Sequence, residues 1–206
     1  MVIKSFQPYI LSFISLFVAV DAIGNIPLFL SLTEGCTKKQ RREVIRYSIA
    51  TATIVAILFM FIGKAVLRFI GVSIPDFQIA GGALLFVISM RLLLPTAAQG
   101  FSAPATYRQD FGVFPLGTPL ITGPAVLTTS LMMVDAYGYT ATFAALVVNM
   151  LIVWLTLYKS DFFTRVLGTS GLRAIAKIVY ILLAAIGVMM VRRGVISIIQ
   201  LFTAHA

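Results

Sequence analysis

Residues Ile10 to Leu32 read ILSFISLFVAVDAIGNIPLFLSL. Both flanks are apolar enough for a bilayer, yet the centre, Asp21-Ala22-Ile23-Gly24-Asn25-Ile26-Pro27, holds what a spanning helix avoids. Proline lacks a backbone donor and its ring clashes with the carbonyl four residues back. Glycine weakens the helix, and asparagine brings polar atoms that lipid cannot satisfy. A helix of roughly 20 residues crosses a hydrocarbon core of about 30 Å, so the length is right and the continuity is not. The stretch reads as a transmembrane helix broken near its middle. Lys4 ahead of Ile10–Val20 imitates a secretory signal, but the apolar run resumes from Leu28 to Leu32, so the span reads as retained.

A second stretch of the same kind, Pro115-Leu116-Gly117-Thr118-Pro119-Leu120-Ile121-Thr122-Gly123-Pro124, lies further along the chain. Composition fits a membrane setting for both. Sixty per cent of the 206 residues are apolar, 11% are charged, and the mean hydropathy is +1.01. A soluble domain carries about 25% charged residues, so too little polar surface exists to coat a water-facing globule. The chain reads as an all-α polytopic membrane protein with six spans, Ile10–Leu32, Ser48–Ile70, Phe77–Leu94, Phe114–Val134, Gly138–Tyr158 and Ile175–Val191. They form a single membrane domain: a first three-helix repeat over 1–94, a linker over 95–113, a second repeat over 114–194 and a tail over 195–206. The linker is rich in Pro, Ala, Ser and Gln, and Asp135 to Tyr137 makes a minimal turn.

The net charge of +9 does not indicate nucleic acid, because the basic residues sit at span ends without interleaved aromatics. Lys38, Lys39, Arg41, Arg42, Arg46, Arg91, Arg108, Lys159, Arg165, Arg173 and Lys177 attach to the odd-numbered connections. Only Lys4, Lys64, Arg68, Arg192 and Arg193 fall on the other side. The positive-inside rule then puts the odd connections in the cytoplasm and both termini outside. Cys36 and His205 are each the sole residue of their kind, so neither a disulfide nor a cofactor or metal site is expected.

The two broken stretches are related by a constant offset. Pro124 follows Pro27 by 97 residues, and the same step carries Arg68-Phe69-Ile70-Gly71 onto Arg165-Val166-Leu167-Gly168. Ile79-Ala80 falls on Ile175-Ala176 with a slip of one. Each half holds an odd number of spans, so the halves must be inverted, an architecture of secondary transporters whose sites lie where discontinuous helices meet. A broken helix exposes N–H groups that attract anions and C=O groups that attract cations. Two breaks together suit a zwitterion, although prolines also kink membrane helices for packing alone. Asp21 is the sole carboxylate near the centre of a span; its burial costs about 2.5–3.5 kcal/mol on insertion scales. It reads either as a partner for a proton or substrate ammonium, or as the cap of a half-helix. Asn149, Gly81-Gly82 and Gly187 read as helix-packing residues, and Trp154 as an interface anchor.

These motifs resemble the MarC/SnatA family of prokaryotic inner-membrane proteins. The likeness rests on Asp21-Ala-Ile-Gly-Asn-Ile-Pro27, on Gly71-Val-Ser-Ile-Pro75 with Ile79-Ala-Gly-Gly82, and on Pro115-Leu-Gly-Thr-Pro119 with Thr122-Gly-Pro124. Where the family often has proline after the aspartate, this chain has Ala22, so a milder first break is expected. The resemblance implies a transporter of small neutral amino acids such as glycine and alanine, coupled to a proton or sodium gradient. It puts the substrate at Gly24, Asn25, Thr122 and Gly123, with Asp21 and Thr118 close by. An exporter of other small solutes or drugs is the competing expectation. An enzyme is not expected, since Asp21 has no second carboxylate, cysteine or histidine within a span. The oligomeric state, including a homo-oligomer, is left open.

Overall fold

The computed structural model describes residues 2–33, 35–94 and 112–204; most of the expected 95–113 linker, Arg108 included, lies outside them. Among the described residues the regular structure is all helical: α1 Val2–Val20, α2 Asn25–Leu32, α3 Lys38–Ile70, α4 Ile74–Leu93, α5 Gly112–Ile121, α6 Pro124–Tyr158 and α7 Ser160–Ala204. Local chemistry sets several of the ends. Thr37 starts α3 with a reciprocal capping box, its hydroxyl accepting from the Gln40 N–H while the Gln40 side chain accepts from the Thr37 N–H. Ser73 and Asp76 repeat the device at α4. Gly71, at φ 77°, ends α3 in the left-handed region that glycine alone enters freely.

Helix α6 is two passes, not one. Gly138 breaks it at φ 83° and ψ 169°, a conformation closed to residues with a Cβ. Asp135, just before the glycine, pairs with Lys64, and Tyr139, just after it, stacks on Phe61 at 5.3 Å. Tyr158 lies instead under the Arg42 guanidinium, 5.5 Å away, at the opposite end of α3. The chain therefore doubles back at Gly138. Its incoming arm runs along α3 in parallel: Gly112 abuts Val44 and Tyr47, Gly117 abuts Ser48 and Thr51, and the Thr122 hydroxyl donates to the Ala52 carbonyl. Beyond a similar break at Gly168, φ 64°, α7 runs antiparallel to α4. Gly187 sits against Gly82 there, and Gly194 against Pro75 and Ile79.

Five described stretches are long and apolar enough to cross a membrane, and α5 is a shorter apolar helix. With the reversal at Gly138, six crossings follow: α1 with α2, α3, α4, α5 with the first arm of α6, its second arm, and α7. One end of the bundle carries Lys38, Arg41, Arg42 and Lys159 and is called the basic end below. Along α3 the buried face is rich in small residues and the exposed face in large ones. On α3, Ala52, Ala56, Met60 and Gly63 are buried while Ile54, Leu58, Phe61 and Ile62 are exposed, as expected where lipid is the solvent and close helix approach supplies the packing. A methyl added to Gly82 would lie 2.5 Å from the Gly187 oxygen, and one added to Gly187 2.6 Å from the Gly82 oxygen. The backbones of α4 and α7 touch at that crossing.

Several sequence-derived limits need correction. Helix α3 begins at Lys38 rather than Ser48, and the 195–206 tail is helical through Ala204. The last apolar span starts at Ala174, beside the expected Ile175, and the part of α7 before Gly168 lies within the connection read as 159–174. Hydropathy marks the hydrocarbon slab, whereas a helix with polar turns continues into the interface beyond it. The turn expected at Asp135–Tyr137 is made by Gly138.

Candidate functional site

Each of the two interruptions is built differently. Helix α1 stops at Val20, and Asp21 takes φ 46°, a left-handed conformation that aspartate tolerates better than most residues. From there its Oδ1 accepts the Gly24 N–H at 3.1 Å. The Asn25 and Ile26 amides turn back onto the Asp21 and Ile23 carbonyls, both at 3.1 Å. The Asn25 side chain completes the turn, Nδ2 donating to the Val20 oxygen at 2.9 Å and to the Asp21 oxygen at 3.0 Å. Pro27 falls in the first turn of α2, where a missing N–H costs nothing. This break is capped by its own side chains, and it is a full interruption despite Ala22.

The second break has no such cap. Phe114 and Thr118 are extended, each before a proline (Pro115 and Pro119) joined by a cis peptide bond, and α5 ends with the Thr122 N–H bonded five residues back to Gly117 at 3.1 Å. Gly123, at φ −92° and ψ 178°, starts α6 without a side-chain cap. Pro124 has no N–H, and Leu127 is bonded back to Gly123 at 3.0 Å. The Ala125 and Val126 amides therefore have no intrahelical carbonyl to reach. A methyl on Gly123 would stand 2.2 Å from the Pro119 oxygen, and one on Gly81 would stand 1.9 Å from Pro124 Cγ. Glycines on both sides hold this junction tight.

The two breaks open into one cavity of about 640 Å³. Val20, Asp21, Gly24 and Asn25 line it from the first break, and Pro119, Leu120, Gly123 and Ala125 from the second. Apolar side chains such as Ile14, Val18, Leu85 and Ile186 supply most of the wall. Among the lining residues Asp21 is the one carboxylate and Arg193 the one cation. The helix N-terminus at Ala125, which lines the cavity, favours negative charge. On the facing break, Asp21 and the remaining Asn25 acceptor, Oδ1, favour a positive group.

Of the residues singled out from the sequence, Asp21, Gly24, Asn25 and Gly123 share the cavity wall. Thr122 and Thr118 do not line it. Thr122 is 2% exposed and gives its hydroxyl to the Ala52 carbonyl of α3 at 2.9 Å. Thr118 donates to the Val113 oxygen at 3.4 Å. In both, the hydroxyl serves helix packing or local winding. Asn149 bridges helices, donating to the Phe13 oxygen at 3.3 Å and to Ala145 at 2.9 Å. Sequence reasoning missed Ala125 and the α7 wall. The signal for the latter was present, since Leu183, Ile186, Met190 and Arg193 recur at helical spacing.

The MarC family integral membrane protein model matches residues 6–199 of this chain. The UPF0056 inner membrane protein YhgN of Escherichia coli strain K12 is 28% identical over 184 residues, covering 87% of this chain and 92% of the relative. A UPF0056 membrane protein of Archaeoglobus fulgidus is 35% identical over 195 residues, covering 89% and 90%. Another, of Methanocaldococcus jannaschii, is 32% identical over 199 residues, covering 92% and 87%. No solved structure matches the chain. With almost the whole length matched from the first span to the last, the chain belongs to the MarC family of integral membrane proteins.

Proposed function

We propose that the chain is a secondary active transporter of small neutral amino acids, of the glycine and alanine class, working by alternating access of two inverted three-helix halves. The observation that carries this reading is the cavity shared by two helix breaks of opposite electrical character. A substrate carboxylate meets the helix N-terminus at Ala125, and its ammonium group meets Asp21 and Asn25 Oδ1. Gly24 and Gly123 line the cavity without side chains, which leaves room for a main-chain zwitterion between the breaks. Inversion is supported by the opposite running directions of α3 and the second arm of α6, and by the left-handed glycines 71 and 168 at the 97-residue offset. The coupling ion, proton or sodium, has Asp21 as its carboxylate. Charge distribution supports a basic end in the cytoplasm of a prokaryotic cell, both termini outside, and a cavity that opens outward by way of Arg193.

The test is uptake of labelled glycine or alanine into liposomes containing the purified protein, under imposed proton or sodium gradients. Saturable uptake with counterflow is expected, and Gly123→Leu should abolish it. Folded protein with no uptake under either gradient overturns the reading. A volume of about 640 Å³ also lies in the range of drug-sized pockets, which favours export of other small solutes as the second reading. Competition by unrelated compounds but not by amino acids would select it.

A further inference from the structure

We infer that Arg193 is the specificity-determining residue that makes this cavity require a carboxylate on its solute; the inference rests on the transport reading above. Leu183, Ile186, Met190 and Arg193 form one face of α7 along the cavity. At 1.5 Å per residue, Arg193 lies about 15 Å along the helix from Leu183, at the end of the cavity away from the basic end. Gln78 and Met132 line the cavity there too. The adjoining Gly194 fixes its backbone, since a methyl there would stand 2.8 Å from the Pro75 oxygen and 2.6 Å from Ile79 Cγ1.

Among the described residues no acid pairs with it. Asp135, at the same end, pairs with Lys64, and Asp76 is engaged by Ser73 in the α4 capping box. Asp21, deeper in the cavity, accepts the Gly24 amide. Among the described residues Arg193 makes no hydrogen bond, ion pair or ring contact. Its guanidinium keeps a planar fork of donors, the geometry that grips a carboxylate through two bonds. Arg193 is exposed at the cavity mouth, where a cleft lined mostly by apolar side chains focuses the field of an unpaired charge. Arg193 thus draws the carboxylate in first and repels solutes of net positive charge, before the helix breaks engage both ends of the zwitterion. Arg192, its neighbour, does not line the cavity and serves as the control.

Two measurements separate this role from the transport reading. In the first, Met132→Cys in a Cys36→Ser background is labelled with thiosulfonate reagents of similar size, one anionic (ethylsulfonate) and one cationic (ethyltrimethylammonium). With Arg193 present the anionic reagent reacts faster, and Arg193→Gln lowers the anionic-to-cationic rate ratio about 10-fold at low salt. Arg193→Lys retains most of the ratio, and Arg192→Gln leaves it unchanged. In the second, Arg193→Gln raises the KM for alanine about 10-fold with kcat little altered, and narrows discrimination against alaninamide. An unchanged rate ratio, or an equal drop in Arg192→Gln, overturns the assignment whatever the solute proves to be. A ratio that falls as expected in a protein without amino acid uptake overturns the transport reading and leaves Arg193 as the charge selector.

Discussion

Asn25 and Asn149 look alike as buried amides, yet their removal should cost very different amounts. Each is at most 3% exposed and donates two hydrogen bonds to backbone carbonyls. The difference lies in the acceptors. Phe13 and Ala145 sit inside regular helices, where their carbonyls already receive a bond from four residues on. Val20 is at the broken end of α1, and the amide that would have served it, Gly24, has gone to the Asp21 carboxylate. Asn25→Leu leaves the Val20 carbonyl without a donor, a penalty of about 1–3 kcal/mol, and takes one of two bonds from Asp21, about 0.5–1.5 kcal/mol more. The sum is about 1.5–4.5 kcal/mol. Asn149→Leu strands nothing and should cost about 0.6 kcal/mol, the average for polar contacts between membrane helices. Reversible unfolding in mixed micelles on titration with sodium dodecyl sulfate, followed by far-UV circular dichroism, measures both. Equal losses, or a larger one at Asn149, refute the idea that Asn25 serves the break.

Gly82→Ala should destabilise the fold by about 1–3 kcal/mol as α4 and α7 are forced apart, and Gly187→Ala likewise. The double variant should cost clearly less than the sum, because one separation relieves both clashes; strict additivity in the same unfolding assay would argue against a shared contact. Thr122→Val, which removes only the bond to Ala52, should lose about 0.6 kcal/mol of stability and leave the KM for alanine unchanged. A large KM effect would return that hydroxyl to the site.

The fold was legible where lipid dictates the residue. Six apolar runs gave six crossings, and even the odd pass through α5 was marked by Pro115, Gly117 and Pro119. Helix limits were less visible, because Lys38 to Tyr47 is polar by composition and helical by virtue of the Thr37–Gln40 box, which a hydropathy window does not see. Asp21, Gly24, Asn25 and Gly123, singled out because breaks need unusual residues, line the cavity. Thr118 and Thr122 lie off the cavity wall, which the sequence could not reveal because a threonine hydroxyl looks the same whether it faces a cavity or a neighbouring carbonyl. Ala125 escaped notice for the opposite reason. What it offers is a backbone N–H left over by the proline before it, and no side chain announces that.

The unequal finish of the two breaks also bears on why a solute would be held at all. An offset of 97 residues relates them, yet at the first break Asp21 and Asn25 occupy the released amides and carbonyls, whereas at the second Gly123 and Pro124 carry nothing able to reach Ala125 and Val126. Had both been capped this way, the backbone would have little left to offer a ligand, and an apolar cavity would remain. Had both been bare, several unpaired groups at membrane depth would each cost about 1–3 kcal/mol, a load heavy enough to favour rewinding the helices. One finished break and one unfinished break keep the empty protein tolerable while leaving a few donors that only a bound anion, or water, can satisfy. Under the transport reading, the unfinished break supplies the binding energy for the carboxylate. The finished one contributes the Asp21 carboxylate, which settles which way round the zwitterion lies.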